Sequence, residues 1–302
     1  MEIRVIGRGA LAGFIAGLLG FVFARIWAEP VINQAIDYES GRDEMLHKLA
    51  VAAGLTPEAD GPEIFSRTVQ SSVGVATGII AFSTAMGALV AVAYVVLHGR
   101  FRVRPSALAA QIAAFGFLGV YLLPYVKYPA NPPAIGHTFT ITTRGHLYLT
   151  MVAVSLILLA LGVYLTRRLL PRFGLMNSIL ISAAAFFVVY GVIIGVLPSL
   201  GELAANRDAV HEFGFARAAT ETPRPITNIL DHALTIDGQP VLPGQIVYPG
   251  FDPDVLWKFR WYSLLNQALI WTTISVIFGK LMDRMMRGAG RRPAAARVPV
   301  AS

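Results

Sequence analysis

The hydrophobic pattern divides the chain into six long apolar stretches separated by more polar connections. Each stretch is about as long as the roughly 20 residues that a helix needs to cross the hydrocarbon core of a bilayer. The sequence has no ten-residue segments of alternating apolar and polar residues, the pattern typical of membrane β-strands. It therefore predicts an all-α membrane protein, a bundle of six transmembrane helices. The predicted spans are residues 5–28, 73–97, 107–126, 146–165, 176–197 and 262–282.

The composition agrees with this division of the chain. Hydrophobic residues make up 55% of the sequence and charged residues only 14%, which is too apolar for a soluble domain that must cover its own surface. The first span follows Arg4 and Arg8 and ends at Ile26-Trp27-Ala28, a poor match to a small-x-small cleavage site. We therefore predict an uncleaved signal anchor in a protein whose main surroundings are the lipid bilayer.

The distribution of charge predicts the orientation of the spans. Basic clusters lie at every second boundary, and the positive-inside rule then places both termini in the cytoplasm. The connections 30–69, 127–145 and 199–256 are predicted to be extracytoplasmic, and the first and last of them carry seven and eight acidic residues against three basic residues each. The net charge of +7 is thus a signal of topology, and we expect no nucleic-acid partner. The basic clusters are Arg4 and Arg8; Arg100, Arg102 and Arg104; Arg167, Arg168 and Arg172; and Lys280, Arg284, Arg287, Arg291, Arg292 and Arg297.

The connection between the third and fourth spans is rich in proline. Pro124, Pro129, Pro132 and Pro133 fall within ten residues, and a proline run of this kind cannot continue either neighbouring helix. Residues 124–144 are therefore predicted to form a shaped, irregular loop. Two interpretations stay open: a rigid turn with Lys127 and Tyr128 at the membrane interface, or a site where Asn131 and free carbonyl groups coordinate a partly hydrated cation.

Two charged residues near the membrane boundary are candidates for function. Arg25 and Glu29 are four residues apart at the end of the first span, so they share a helix face and could neutralise each other. Alternatively, Glu29 is functional, as ionisable residues at membrane depth commonly are. Arg260 opens the last span at an outer boundary, against the charge rule, and we expect an acidic partner such as Glu29.

Histidine and acidic residues gather in the predicted outer connections. Five of the six histidines fall on the predicted outer side, four of them in these connections and His146 at the outer end of the fourth span, and nitrogen and carboxylate ligands together suit divalent first-row metals. We predict a metal-capture site formed by Glu29, Asp37, Glu39 and His137. The alternative is that polar residues accumulate in long outer loops without binding a metal. The five histidines are His47, His137, His146, His211 and His232.

Other local patterns predict packing and order. Glycines four residues apart, at 9, 13 and 17, at 74 and 78, and at 191 and 195, mark helix faces for close packing within the bundle, against a partner subunit or in a homo-oligomer. In residues 199–256, turn signals at Asp237-Gly238 and Pro243-Gly244 predict a hairpin-like cap, and Asp252 is predicted to cap the last helix. The tail, residues 288–302, is predicted to be disordered and cytoplasmic.

Three segments together resemble the CbtA family of cobalt transporter subunits. They are EPVINQAIDYE after the first span, LPYVKYPANPPAIG in the proline loop and FDPDVLWKFRWYSLLNQALIW at the last span, in the family's order. The resemblance implies a bacterial inner-membrane protein that moves cobalt for cobalamin synthesis beside a small histidine-bearing membrane partner. Two features depart from the family pattern: TITTRGHLY replaces an acidic run after the loop, and residues 199–256 form a longer connection.

These observations lead to one function and one alternative. We predict a membrane subunit of a Co²⁺ or similar divalent-cation transporter, with no intrinsic cofactor. The alternative is a membrane scaffold or assembly subunit that transports nothing. An enzyme is not predicted, since the sequence lacks a phosphate-binding P-loop, an H-E-x-x-H zinc motif and a G-x-S-x-G elbow. The predicted substrate-binding residues are Glu29, Lys127, Tyr128, Asn131, Arg144 and Arg260.

Overall fold

A computed structural model describes residues 2–56, 66–133, 135–213, 221–228 and 230–289. Most of these residues are helical, as the apolar pattern predicts. The helices are α1 (Glu2–Phe23), α2 (Glu29–Ala52), α3 (Arg67–Val69), α4 (Val75–Leu97), α5 (Pro105–Gly116), α6 (Leu123–Lys127), α7 (Ile141–Val196), α8 (Ala204–Phe213) and α9 (Pro253–Ala289). Two short 3-10 helices, Thr138–Thr140 and Leu200–Glu202, precede α7 and α8.

Three π-helical segments connect helices that follow one another along the chain. Ala24–Ala28 joins α1 to α2, Gln70–Gly74 joins α3 to α4, and Phe117–Leu122 joins α5 to α6. A π-helical segment widens the helix by one residue per turn and is frequent at functional sites. As a result α2 continues directly from the first span, so the predicted outer connection 30–69 begins with 23 helical residues, 30–52.

Five helical stretches are long and apolar enough to cross a membrane among the described residues. The six predicted spans all fall within them, the fourth and fifth both in Thr138–Asp208, which has 71 residues. Its main helix, α7, contains Pro171 and a non-helical Gly174 with φ of 71°. The five stretches are Glu2–Ala52, Arg67–Leu97, Pro105–Lys127, Thr138–Asp208 and Pro253–Arg287.

The chain forms two compact units, and the first contains the described parts of Met1–Val22, Ser72–Phe117 and Asn266–Ser302. In this unit the glycine face of α1 lies directly on α4. A Cβ atom added to Gly9 or Gly13 would overlap the backbone of Gly87 or Ser83. The prediction of close packing for the first glycine series is therefore confirmed.

Three of the other paired glycines do not pack in this way within the chain. A Cβ atom added to Gly78, Gly191 or Gly195 would meet no atom of the described residues within 4 Å. Packing of these three glycines against a partner subunit or a second copy stays a prediction. Spacing alone marks a bare helix face, but the structure decides whether another helix covers it.

The second unit contains the described parts of Phe23–Ser71 and Leu118–Leu265. One of its apolar clusters combines α2, the proline loop and the start of α9, with Val31, Ile135 and Phe251 among its buried members. A second joins the loop to both halves of α7 through Tyr128, Met151 and Tyr190. The exit of the first predicted span and the proline loop thus belong to one packed region.

The connection 199–256 adds short β-strands that an all-α fold class did not include. Strand β1 (Ile226–Thr227) pairs antiparallel with β4 (Ile246–Tyr248), and β2 (Leu234–Ile236) pairs antiparallel with β3 (Gln239–Val241). Asp237 and Gly238, which join β2 to β3, both have positive φ, as a two-residue type I′ turn requires. The predicted hairpin is therefore confirmed, and the all-α prediction needs this correction.

The ends of α9 also bear on the predictions. The Asp254 backbone N–H donates to Asp252 Oδ1 over 2.8 Å, so the predicted cap is confirmed. The helix extends to Ala289, two residues into the segment predicted to be disordered. The rest of the predicted tail, residues 290–302, lies outside the described residues.

Candidate functional site

Glu29 lies at the junction between the first π-helical segment and α2. Its backbone N–H donates to the Ala24 carbonyl, five residues back, and its side chain is only 3% exposed. Glu29 Oε1 pairs with the guanidinium group of Arg67. The same nitrogen, Arg67 Nη2, donates to Asn33 Oδ1 over 2.8 Å. Two oxygens one helical turn apart therefore hold one positively charged group.

The partner of Glu29 differs from the sequence prediction. Arg25 shares a helix face with Glu29, but its side chain is exposed, whereas Arg67 comes from 38 residues further along the chain. The predicted pairing of Arg25 with Glu29 is therefore wrong. Because Arg67 was only one of three basic residues in a long connection, nothing local in the sequence marked it as the partner.

The proline loop is fastened to its surroundings through hydrogen bonds to backbone carbonyls. Helix α6 includes Pro124 and ends at Lys127, and the chain is helical again from Thr138, so the irregular loop is confined to 128–137 and the predicted range 124–144 is too long at both ends. The Tyr128 hydroxyl donates to the Pro198 carbonyl over 3.0 Å. Arg260 donates to the Ala130 carbonyl over 3.2 Å and to Asn131 Oδ1 over 3.0 Å. The expectation that Arg260 pairs with an acidic residue such as Glu29 is thus wrong, since its contacts here are a carbonyl and an amide.

A small cavity opens beside the loop, with a volume of about 90 Å³. It brings together three of the six predicted substrate-binding residues, Lys127, Asn131 and Arg260. Tyr128 lies next to it, with its ring centroid 5.7 Å from Lys127 Nζ. Glu29 and Arg144 do not line the cavity. The lining residues are Lys127, Pro129, Asn131, Ser199, Leu200, Glu221 and Arg260.

Glu221 is the functional candidate that sequence reasoning missed. Its side chain is fully buried, and Oε2 accepts hydrogen bonds from the His137 backbone N–H and the Thr140 hydroxyl, both over 3.0 Å. Asn206 Nδ2 donates to Oε1 over 2.7 Å. In the sequence Glu221 is one of eight acidic residues in a polar connection, and only its burial against three hydrogen-bond donors in the folded chain distinguishes it.

Arg144 supports this network from the start of α7. Its Nη2 donates to the His137 carbonyl over 3.1 Å. Gly136, with φ of 121°, makes room for it, because a Cβ there would lie 2.5 Å from Arg144 Nη1. Arg144 therefore positions the loop and does not contact the cavity.

The environment of His137 favours the neutral imidazole. Burial lowers the pKa of His137 below its ordinary value. The Glu221 carboxylate opposes this shift in pKa, while Arg42 and Arg144 add to it. A neutral imidazole is able to bind a metal ion. The protonation state of His137 therefore permits metal binding, and the remaining requirement is that other ligands lie nearby.

The four predicted metal ligands do not come together. Asp37 is exposed and Glu39 half-buried on α2, and Glu29 and Glu39 are separated by about 15 Å along one helix. Within the described parts of the chain, no group of three or more histidine and acidic side chains could hold a metal ion. The prediction of one site formed by Glu29, Asp37, Glu39 and His137 is therefore corrected.

Comparison with known proteins identifies the family. The family model described as "Probable cobalt transporter subunit (CbtA)" matches residues 2–283, nearly the whole chain. No curated protein and no solved structure matches the chain. Combined with the five membrane-length helices, the match confirms the resemblance carried by the EPVINQAIDYE, KYPANPPA and DVLWKFR segments. The chain belongs to the CbtA family of probable cobalt transporter subunits.

Proposed function

We propose that this protein is the membrane subunit of a transporter for Co²⁺ or a similar divalent cation, located in a bacterial inner membrane. The cation is received on the extracytoplasmic side. Membership of a family of cobalt transporter subunits supports this proposal, and so do the long apolar helices. A partner subunit bearing histidines would supply the nitrogen ligands that this chain does not gather in its described residues.

The proposed topology has six crossings and cytoplasmic termini. The 71 residues of Thr138–Asp208 greatly exceed the roughly 20 needed for one crossing. Gly174 breaks the helical geometry of α7 close to Pro171, between the basic pair Arg167-Arg168 and the fifth predicted span. A turn on the cytoplasmic side at this point gives six crossings, with basic clusters on one side of the membrane throughout.

The observation that carries the proposal is the arrangement around Glu29. Arg67 Nη2 lies between Glu29 Oε1 and Asn33 Oδ1, so the two oxygens already surround a positive charge. We propose that the transported cation takes this position when the Arg67 side chain withdraws. Oxygen ligands alone suit Mg²⁺, Ca²⁺ or Mn²⁺, so the nitrogen ligands that favour Co²⁺ would come from the histidine-bearing partner subunit. Arg67 then acts as a tethered competitor that keeps the carboxylate neutralised when no metal is bound.

Cobalt uptake tests this proposal directly. Vesicles or cells containing the protein, together with its partner subunit, should accumulate radioactive cobalt faster than those without it. Glu29→Gln removes the negative charge, and we expect it to lower the initial uptake rate at low cobalt concentration by about tenfold or more, since it removes a charged ligand. Asp37→Asn is the matched control because Asp37 is exposed on the same helix, and it should keep the wild-type rate.

A third variant tests the competitor role. Arg67→Gln should lower the cobalt concentration that gives half-maximal uptake or binding, because the competing positive charge is gone. Unchanged uptake with and without the protein would overturn the transport function. Wild-type uptake by Glu29→Gln would overturn the site. If Glu29→Gln and Asn131→Ala both leave function untouched, the scaffold alternative is favoured.

A further inference from the structure

The cavity beside the proline loop has a chemistry different from that of the Glu29 site. We infer that it binds a small monovalent anion, either a carboxylate or an inorganic oxyanion. The inference goes beyond the proposed cation transport and does not depend on it. It rests on which hydrogen-bonding groups around the cavity are already occupied and which remain available.

Two side-chain acceptors at the cavity already receive hydrogen bonds. Glu221 receives three, from the His137 backbone, the Thr140 hydroxyl and the Asn206 amide. Asn131 Oδ1 accepts from Arg260 Nη2. A divalent cation entering the cavity would also lie beside the positive charges of Lys127 and Arg260, which repel it. The cavity is therefore a poor site for a divalent cation.

The donor groups remain available. Lys127 and Arg260 both line the cavity, and neither forms an ion pair with an acidic residue in the described ranges of the chain. Arg260 uses Nε and Nη2 in its contacts with the loop, so its Nη1 is left for a ligand. The amide nitrogen of Asn131 also has no hydrogen-bond acceptor among the residues that the structure describes. Donors of this kind bind the oxygens of an anion.

The balance of charge points the same way. Two cations, Lys127 and Arg260, and one carboxylate, Glu221, line the cavity, so one positive charge is in excess. A monovalent anion would neutralise it. Hydrogen bonds from charged donors are also stronger than neutral ones, and they strengthen further where the protein excludes water.

The cavity has room for a small anion. Its volume of about 90 Å³ is well above the roughly 10–15 Å³ that one water molecule needs by the same measure. Anions with three or four heavy atoms, such as bicarbonate or acetate, therefore fit this space. The two small anions share the carboxylate-like pair of oxygens that Lys127 and Arg260 could bind together.

Calorimetric titration of the full-length protein in detergent tests the inference. Sodium acetate and sodium bicarbonate are titrated separately without cobalt, and sodium chloride, which lacks the carboxylate-like pair of oxygens, is titrated at the same ionic strength as the control. We expect saturable binding of at least one of the two small anions. Lys127→Gln should weaken this binding by about tenfold or more, the effect of removing a charged hydrogen-bond donor.

Two further variants distinguish binding of the anion at the cavity from a non-specific effect of net charge. Lys258→Gln removes the same charge from an exposed position two residues before Arg260, and binding should change less than about twofold, because exposed charges are screened. Lys127→Arg keeps the charge and should retain most of the binding. Thermal unfolding of each variant shows whether the fold is intact.

Several results would overturn the inference. These are no saturable binding of either anion to the wild type, equal weakening by Lys258→Gln and Lys127→Gln, or cobalt binding that becomes tighter in Lys127→Gln. Because the titration contains no cobalt, its outcome is independent of the uptake measurements. Failure of the Glu29 site would leave the anion site standing, and the reverse also holds.

Discussion

At the scale of single residues, the structure shows buried charges whose partners come from distant parts of the sequence. Glu29 meets Arg67 across 38 residues, and Glu221 meets Thr140 across 81. The sequence could indicate Glu29, because an acidic residue at the end of an apolar span is unusual. It could not indicate Glu221, whose sequence neighbours are polar. Burial of that carboxylate depends on contacts that only the folded chain provides.

The buried Glu221 carboxylate allows a prediction about stability. Glu221→Gln replaces one oxygen by an NH₂ group, and in either orientation that group faces a donor, because both oxygens accept hydrogen bonds. We expect the free energy of unfolding to fall by about 1–3 kcal/mol, the usual cost of leaving buried polar groups unsatisfied. Thermal unfolding in detergent at constant pH measures this as a lower Tm.

Asp208→Asn is the matched control for Glu221→Gln. Asp208 is an exposed acidic residue on α8, and the same chemical change there should alter Tm very little. If both variants unfold at the wild-type temperature, the Glu221 network does not stabilise the fold. The conformation of the loop around Asn131 would then have to be fixed by contacts other than those of Glu221.

At the scale of elements, turns and helix ends were predicted well, because they depend on the backbone preferences of one or two residues. Proline fixes its own backbone angle, so the end of α6 at Lys127 follows from the sequence alone. Asp237-Gly238 likewise determines the β2–β3 turn. The π-helical segments have no such local signal. They extend α1 into α2, so the helix continues past Ala28, where the first span was predicted to end.

The glycine series of α1 gives a prediction at this scale. A side chain at Gly13 would overlap the α4 backbone at Ser83, and backbone cannot move aside as a flexible side chain can. We expect Gly13→Leu to separate α1 from α4 and to prevent accumulation of folded protein, since overpacking costs typically about 1–3 kcal/mol or more. Size-exclusion chromatography of the detergent-extracted protein measures the folded fraction.

Gly191→Leu is the control with identical chemistry. No atom lies within 4 Å of a Cβ added at Gly191, so the chain by itself should tolerate the larger side chain with a normal elution profile. Equal loss of folded protein in Gly13→Leu and Gly191→Leu would contradict the described packing of α1 on α4. Loss of transport alone in Gly191→Leu would instead place a partner subunit or a second copy on that face.

At the scale of the whole molecule, the sequence predicted where membrane-length helices lie, because length and apolar character suffice for that. The number of crossings is a separate question. It depends on whether α7 turns back near Gly174, where φ is 71°. Charge also favours a cytoplasmic turn, since Arg167, Arg168 and Arg172 precede the glycine. The proposed topology therefore depends on the position of this one segment.

The absence of cysteine from the sequence makes the crossing number testable. Single cysteines introduced at Ser40, Arg100, Phe173 and Gln239 can each be labelled with a membrane-impermeant maleimide in intact cells. Six crossings with cytoplasmic termini predict that Ser40→Cys and Gln239→Cys react from outside. Arg100→Cys and Phe173→Cys should react only after the membrane is permeabilised, because they follow the second and fourth spans.

Gln239→Cys distinguishes the two possible crossing numbers. If Thr138–Asp208 crosses once, the segment after it lies in the cytoplasm, so Gln239→Cys reacts only after permeabilisation, and the termini then lie on opposite sides of the membrane. If Phe173→Cys were labelled in intact cells, the turn near Gly174 would lie on the extracytoplasmic side. That result would contradict the charge rule. Since the Glu29 site and the proline loop follow the first and third spans, the same labels decide whether both lie on the side from which the cation is proposed to enter.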